Sequence, residues 1–180
     1  MSAVSSADHS SFDPDFARAI SQRFEHVQRP EVGAVGARLL NPGGAVEHAG
    51  IVVGANNIVQ PAYRGFPAEH AGTANRQLQL TRNCSAVSIA CMLTRREIFQ
   101  AVGGFDANLS DALADVDLCL KIRREGHLIV YTPFASLCWH DAPGKVDMAG
   151  QGRMEQRWAG VLQGDPITIQ IFLANALISR

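Results

Sequence analysis

The chain has 180 residues, of which 47% are hydrophobic and 18% charged, and its formal net charge is −1. This composition excludes a disordered chain, a coiled coil and a collagen-like fibre. The charge balance gives no general attraction for nucleic acid or an anionic membrane. Residues 1–12 lack the pattern of a signal peptide, and the apolar stretch 166–179 is shorter than the roughly 20 residues that span a bilayer. The sequence therefore predicts a soluble, cytoplasmic protein.

The first part of the chain predicts one helix and two strands. Apolar residues at helical spacing cover 15–27, and a proline follows them. The apolar run 32–40 predicts a buried strand, the turn N-P-G-G follows it, and 45–54 predicts the returning strand. A polar connection then covers 55–80, and connections of this length are usually functional or mobile.

The second part of the chain predicts strands that alternate with helices. Strands are predicted at 85–94, 128–133 and 135–140, and the main helices at 114–126 and 152–162. Between the first of these strands and the helix at 114, Thr94 and Glu97 have the spacing of a capping box for a short helix. This alternation indicates an α/β layer fold.

The cysteines give no sign of a metal site or a disulfide framework. Cys84, Cys91, Cys119 and Cys138 are too widely spaced for a C-x-x-C pair or a zinc ribbon. Among the cysteines and histidines, only Cys138 and His140 are close in sequence. We therefore predict buried thiols in a reducing compartment.

A pair of aspartates, Asp115 and Asp117, is the feature that best indicates chemistry. They stand at the predicted start of a helix, where backbone N–H groups would hold a carboxylate in its ionised form. An ionised carboxylate at the mouth of a cleft can accept the proton of an attacking hydroxyl. Spacing alone favours the simpler alternative, that both are helix-capping charges.

Three motifs in the second half carry a family resemblance. They are R-R-x-x-F-x-x-V-G-G-F-D at 95–106, D-V-D-L-C-L-K at 115–121 and I-V-Y-T-P at 129–133. Together they resemble the C-terminal half of the family 2 glycosyltransferases, which are inverting enzymes of the GT-A fold. The resemblance covers roughly 13–166, which would be a partial GT-A domain between a flexible N-terminus (1–12) and an apolar tail (167–180). The upstream segment 29–54 resembles the one that precedes these motifs in bacterial cell-surface polysaccharide and rhamnosyltransferase-like members of the family.

The resemblance implies roles for particular residues. Asp115 matches the catalytic base, and the G-G-F-D turn matches the family's acceptor side. The substrate-binding residues implied in this way are Arg82, Gly103, Gly104, Asp106, Asp117 and Asp141, and the implied metal ligands are Asp8 and His140. Two positions depart from the family: Ala114 replaces an acidic or amide residue, and Ile89 replaces a glycine that would let substrate approach the backbone.

The resemblance also implies cofactors and partners. These are a divalent metal (manganese or magnesium), a nucleotide-sugar donor, and a saccharide or lipid-linked acceptor, at the inner face of a membrane and without nucleic acid. The family's first strands and its metal-binding D-x-D strand have no counterpart before residue 12. This leaves open whether the chain alone binds donor or metal, and it predicts negligible transfer by the chain alone.

Two other kinds of function remain at this point. A non-catalytic remnant could bind a sugar or a protein partner, and an uncovered sheet edge would then favour self-association. A compact nucleotidyltransferase-like domain would need a glycine-rich phosphate loop, and neither G-x-G-x-x-G nor G-x-x-x-x-G-K-[ST] occurs. The remnant is therefore the main alternative to the transferase.

Overall fold

The computed structural model describes residues 21, 25–55, 58–68, 77–140 and 148–167. The strands are β1 (Val32–Leu40), β2 (Val46–His48), β3 (Ile51–Ala55), β4 (Ile58–Pro61), β5 (Arg82–Asn83), β6 (Met92–Thr94) and β7 (Leu128–Cys138). The helices are α1 (Arg96–Ala101), α2 (Asp111–Arg124) and α3 (Met148–Gln163), and a 3₁₀ turn covers Ile89–Cys91.

β1 lies inside a mixed five-stranded sheet. It pairs in parallel with β7 on one side and antiparallel with β2 and β6 on the other, and β5 pairs antiparallel with the far side of β7. β3 and β4 form a separate antiparallel hairpin. The predicted α/β architecture, a mixed sheet flanked by helices, is confirmed.

The connection from α2 to β7 sets the direction of that helix. Gly126 adopts a φ of +89°, which ends α2, and β7 begins two residues later. Because this turn is so short, α2 runs back along β7, and it packs on both β7 and β1. The first half of α2 therefore lies toward the carboxyl ends of the two parallel strands, the edge at which open α/β sheets bind ligands.

The main hydrophobic core lies between the sheet and the helices α2 and α3. Its largest contributions come from Ile129 and Tyr131 on β7, Val116 and Leu120 on α2, and Met154 and Trp158 on α3. A second cluster covers the opposite face of the sheet and consists of Val27, Val32, Val35 and Val130. Burial on both faces explains why β1 is a continuous apolar run rather than an alternating one.

Two glycines of β1 allow close contact with neighbouring elements. A Cβ atom on Gly36 would lie 2.4 Å from the Cβ of Val87, and one on Gly33 would lie 2.2 Å from Cγ2 of Ile122. Both distances are far below van der Waals contact, so a side chain at either position would displace the element that packs there.

Gly36→Ala is accordingly expected to lower the free energy of unfolding by about 1–3 kcal/mol, the usual cost of overpacking. Urea denaturation followed by circular dichroism measures it. The matched control is Gly152→Ala in α3, where no neighbouring atom lies within 4 Å of the new methyl group. That variant is expected to be unchanged or more stable by up to about 1 kcal/mol. Equal stability of the two variants would contradict the close contact between β1 and Val87.

A buried ion pair joins α2 to the segment that follows α3. Arg123 donates from Nη1 and Nη2 to the two carboxylate oxygens of Asp165, at 2.8 and 2.9 Å. Burial acts to raise the pKa of Asp165, but the hydrogen bonds from Arg123 and others hold it below its ordinary value. Breaking a buried pair leaves an unpaired charge, so this contact holds the end of α3 in place.

Two predicted strands have different bounds from those expected. The segment 45–54 is not one strand: it breaks at Ala49 and Gly50, where Gly50 has a φ of +88°, and β3 leaves the main sheet to pair with β4. The segment 85–94 is a strand only at Met92–Thr94, because a 3₁₀ turn precedes it. β4 lies within the polar connection 55–80, for which no strand was predicted.

The two strands predicted at 128–133 and 135–140 are one strand, β7. Its pairing with β1 shifts between Thr132 and Ser136, opposite Ala37 and Arg38. Pro133 accounts for the gap in the sequence pattern, since proline cannot donate to a ladder and is confined to irregular positions within a sheet.

The predicted capping box at Thr94 is wrong. Arg95 is the N-cap residue of α1 and makes no side-chain cap hydrogen bond. The hydroxyl of Thr94 instead donates to the carbonyl of Gly33 at 2.7 Å, because Thr94 lies in β6 beside β1. Arg95 donates to the carbonyls of Val27, Arg29 and Pro30. Those carbonyls follow the predicted helix 15–27, of which the described residues include the helical turn 25–27.

The cysteines differ in exposure more than predicted. Cys84 and Cys119 are fully buried, and burial raises the pKa of Cys84 to about 12 and that of Cys119 further still. Cys138 is exposed, contrary to expectation, because it ends β7. None of the four forms a disulfide.

Candidate active site

Asp115 is buried in α2, with 5% of its surface exposed. It is the fifth residue of the helix, so it lies beyond the first turn and does not cap it. Its Oδ1 accepts the Val116 N–H at 2.7 Å. Burial raises the pKa of Asp115 to about 7, although the N–H groups of Val116 and Ile89 favour the ionised form. The expectation of an N-terminal carboxylate that stays fully ionised is therefore wrong.

This environment suits a proton acceptor. A general base works best when its pKa lies near the operating pH, because it is then both available in the ionised form and able to hold the proton. A carboxyl group usually reaches that range through burial, as Asp115 does.

The backbone of Ile89 borders Asp115. Ile89 begins the 3₁₀ turn that ends at Cys91, and the Ser88 hydroxyl caps this turn by accepting the Ala90 N–H at 3.2 Å. The side chain of Ile89 is half-buried. The position at which the sequence departs from the family thus lies at the candidate base, and obstruction of substrate there stays a prediction.

Asp117 lies in a different environment from Asp115. Residues two apart on a helix are separated by about 200° of rotation, so the two side chains leave α2 on opposite sides. Asp117 is completely buried, and its Oδ1 accepts from Arg157 Nη1 at 2.8 Å and from Trp158 Nε1 at 2.9 Å. Lys121 Nζ lies 2.8 Å from the Oδ2 of Asp117. Burial acts to raise the pKa of Asp117, yet these three partners hold it below its ordinary value.

The G-G-F-D turn is bound to the same group of charges. Arg157 uses its second nitrogen to donate to Asp106 at 2.9 Å, and Lys121 donates to the carbonyl of Gly104 at 3.1 Å. The pKa of Asp106 is held well below its usual range, first by the Asn108 N–H and then by Arg157. We call Asp106, Asp117, Lys121 and Arg157 the turn network.

The two glycines of the turn are required by its backbone. Gly103 and Gly104 have φ values of +79° and +65°, which residues with a side chain rarely adopt. A Cβ atom on Gly104 would also lie 3.0 Å from the ring of Phe99, which packs edge-on against Phe105 with 5.3 Å between ring centroids. The turn therefore packs on Phe99 of α1, and hydrogen bonds to the turn network hold it in place.

An open pocket of about 470 Å³ lies over this turn. It is lined by Gly103, Phe105 and Asp106 of the turn and by Lys121, Arg124 and Arg157 of the helices. Phe105 is 47% exposed, and the Arg124 guanidinium lies 5.5 Å from the ring centroid of Trp158. The pocket thus offers an aromatic surface together with basic groups.

The structure groups the predicted site residues in two places. Asp106 and Asp117 belong to the turn network, and Gly103 and Gly104 form the turn that this network holds. Asp115 instead lies at the Ile89 turn. Sequence reasoning missed Arg157 and Lys121. Lys121 could have been found, because it stands four residues after Asp117 on one helix face.

The remaining predicted residues lie elsewhere. Arg82 is on β5, between the rings of Tyr63 and Tyr131. His140 is exposed just beyond β7. Asp8 and Asp141 lie outside the described residues. Within the described ranges no three His, Cys, Asp or Glu side chains converge on a point.

The comparison with protein families decides the assignment. A sequence model of the family described as glycosyltransferase like family 2 matches residues 7–160. The chain belongs to family 2 of the glycosyltransferases. Its mixed sheet with flanking helices is consistent with part of a GT-A fold.

Individual relatives of this glycosyltransferase chain are bacterial. It is 36% identical over 126 residues to the O-antigen biosynthesis protein RfbC of Myxococcus xanthus, covering 70% of this chain and 10% of the relative. It is 32% identical over 121 residues to the N-acetylglucosaminyl-diphospho-decaprenol L-rhamnosyltransferase of Mycobacterium tuberculosis, covering 63% of this chain and 39% of that enzyme. A protein of Sinorhizobium fredii, y4gI, is 43% identical over 127 residues, or 70% of this chain and 14% of its own length. The chain therefore spans well under half of each of these relatives.

The helices in the described part of the chain are too short or too polar to cross a membrane.

Proposed function

We propose that this chain carries the acceptor-activating part of a family 2 glycosyltransferase and that Asp115 is its base. The observation that supports this most strongly is the buried Asp115 carboxyl, whose pKa is raised to about 7 at the ligand-binding edge of the sheet. Asp115 accepts the proton of an acceptor hydroxyl as that oxygen attacks the anomeric carbon of the donor sugar. The bond to the nucleoside diphosphate breaks on the opposite side, so the configuration at the anomeric carbon inverts.

The turn pocket is the proposed site for another part of the acceptor. Its exposed Phe105 offers an apolar face to a sugar ring, and Lys121, Arg124 and Arg157 offer hydrogen-bond donors. By its name, the Mycobacterium relative acts on a saccharide linked through diphosphate to decaprenol. We infer a lipid-linked saccharide as acceptor here as well, which would bring the site to the inner face of a membrane.

A divalent metal is common in this family. Of the two metal ligands that the resemblance implies, His140 lies among the described residues and Asp8 lies outside them. Asp115, the turn and their supports act on the acceptor alone.

Sugar transfer tests the proposal. The chain alone is expected to give negligible turnover of a panel of nucleotide sugars that includes an activated L-rhamnose. A chimera provides the comparison that is expected to be active. It joins the part of the Mycobacterium rhamnosyltransferase that precedes the aligned region to this chain, which supplies the aligned region and everything after it. It is expected to form a glycosidic product of inverted configuration, detected by mass spectrometry and proton NMR.

The outcomes separate the two candidate functions. Product from the chimera supports a transferase whose base lies in this chain. A folded chimera that forms no product with any donor would favour the alternative, a non-catalytic sugar-binding or partner-binding remnant. Robust turnover by the chain alone would contradict the view that it carries only the acceptor side.

A further inference from the structure

Among the residues that the structure describes, three basic side chains hold buried nitrogen atoms that have no hydrogen-bond partner. The atoms are Nη1 of Arg38, Nε and Nη1 of Arg82, and Nε2 of His48. A buried polar group without a partner loses its hydration and gains nothing in exchange, and for a charged group the penalty is larger. Several such groups in one region call for an explanation.

Arg82 is held in place without a counter-ion. Its guanidinium carbon lies 4.9 Å from the ring centroid of Tyr131 and 5.6 Å from that of Tyr63, so two aromatic faces contact the cation. Its Nη2 donates to the carbonyl of Ala49. These contacts fix the plane of the guanidinium and leave its other two nitrogens unused.

The register of the sheet brings Arg38 to the same face. Arg82 on β5 lies directly opposite Tyr131 on β7, and Tyr131 is paired with Gly36 on β1. Arg38 is two residues beyond Gly36, and side chains two apart on a strand share a face. Arg38 and Arg82 therefore flank Tyr131 from the two neighbouring strands. Arg38 has one side-chain partner, the hydroxyl of Ser136 at 3.2 Å from Nε.

His48 adds a neutral donor. It is 3% exposed, and its Nδ1 accepts the Gly50 N–H at 3.2 Å, so the ring proton is on Nε2. Burial, and then the charge of Arg82, lower the pKa of His48 to about 3, which keeps the ring neutral. Arg82 lies near His48, because it donates to the carbonyl of Ala49, the residue that follows His48.

No carboxylate neutralises this group. Among the described residues, neither Arg38 nor Arg82 forms an ion pair with an aspartate or glutamate. Asp165, whose charge acts on neighbouring Cys84, is already bound by both terminal nitrogens of Arg123. Within the part of the chain that the structure describes, the group thus presents two positive charges and unused N–H donors, and no carboxylate is paired with it.

We propose that Arg38, His48 and Arg82, the arginine cluster, bind a phosphate-bearing ligand. Phosphate oxygens accept several hydrogen bonds at once, and the planar fork of arginine matches them. The further step, that this ligand is the diphosphate of a substrate, rests on the proposed function. The same chemistry is found in a nucleotide-sugar donor and in a lipid-linked diphosphate acceptor.

Calorimetric titration of the whole 180-residue chain with inorganic pyrophosphate tests this proposal at low ionic strength. The wild-type chain is expected to bind, and Arg82→Gln and Arg38→Gln are each expected to weaken binding at least tenfold, the scale of one charge-assisted hydrogen bond. The matched control is Arg29→Gln, which removes an exposed arginine paired with Glu31 and is expected to leave binding unchanged. Circular dichroism shows whether each variant is folded.

Two further titrations identify the source of the phosphate. If uridine or thymidine diphosphate binds more tightly than pyrophosphate, the cluster is a donor site. If farnesyl diphosphate binds more tightly than pyrophosphate, the cluster is an acceptor site. No heat of binding from the folded wild-type chain at millimolar pyrophosphate would overturn the proposal, as would equal affinity in the two cluster variants and the control. This assay involves no sugar transfer. If the chain binds pyrophosphate but the chimera is inactive, the proposed function is refuted and the proposed phosphate site is not. If the chimera is active but the cluster variants bind pyrophosphate as tightly as wild type, the phosphate site is refuted and the proposed function is not.

Discussion

Replacing Asp115 by asparagine in the chimera is expected to slow sugar transfer by about 10²–10⁴-fold, the usual contribution of a positioned general base. Asparagine has nearly the same shape and can keep the contact with the Val116 N–H, but it cannot accept the acceptor's proton. The rate is measured as nucleoside diphosphate released at saturating donor. Because the change is nearly isosteric, the loss should appear mainly in kcat.

Glu125→Gln provides the control for this experiment. Glu125 follows the last turn of the same helix and is exposed, so its replacement removes a carboxylate without reaching the candidate base. Its transfer rate is expected to stay within about twofold of wild type, since surface changes of this kind have small effects. If Asp115→Asn keeps more than a tenth of the wild-type rate, Asp115 is not the base.

The raised pKa of Asp115 also gives a pH dependence of stability. In the folded chain the pKa is about 7, above the ordinary value of 3.8. Between these values the folded state binds more protons than the unfolded state, so stability falls as the pH rises from about 4 through 7. Asp115→Asn lacks this group. Relative to wild type, the variant should gain stability between pH 4 and pH 8, by roughly 1.4 kcal/mol for each unit by which the pKa is raised.

Asp117→Ala is expected to lower the free energy of unfolding by about 3–5 kcal/mol, the cost of removing one partner from a buried ion pair. The change leaves Lys121 without its carboxylate, and it removes the acceptor of both Arg157 Nη1 and the Trp158 N–H. Urea denaturation measures the loss. Since the pKa of Asp117 is lowered in the folded state, its contribution is present above the ordinary pKa and is lost as the pH falls below it.

Asp111→Ala is the control for the stability of α2. Asp111 begins the same helix and is exposed, so only a weak interaction with the helix dipole is lost, about 0.3–1 kcal/mol. A loss below 1 kcal/mol for Asp117→Ala would contradict the central role of the turn network. It would also leave the position of the G-G-F-D turn unexplained.

Much of the fold could be predicted because its elements carry strong local patterns. β1 is an apolar run buried on both faces, and α2 has charges that match its dipole and a glycine at its end. The predictions for the short elements were wrong because tertiary contacts, rather than local patterns, determine those elements. Thr94 fits a capping box in sequence, but its hydroxyl donates to Gly33 because β6 pairs with β1.

The candidate site was only partly visible in the sequence. The resemblance implies that Asp115 is the base and that Asp117 binds substrate. Helical geometry directs the two side chains to opposite sides of α2. The partners of Asp117 include Arg157, 40 residues further along the chain, and no local pattern selects that contact. The arginine cluster joins three strands in the same way, so only the register of the sheet reveals it.

The protonation of Asp115 in the 180-residue chain tests the central claim most directly, because it needs neither a donor nor a partner segment. Carbon-13 NMR of labelled aspartate side chains follows the carboxyl signal through a pH titration, and Asp115→Asn assigns it. A midpoint near pH 7 is predicted for this buried base. A midpoint near pH 4, as for an ordinary exposed aspartate, would contradict the assignment.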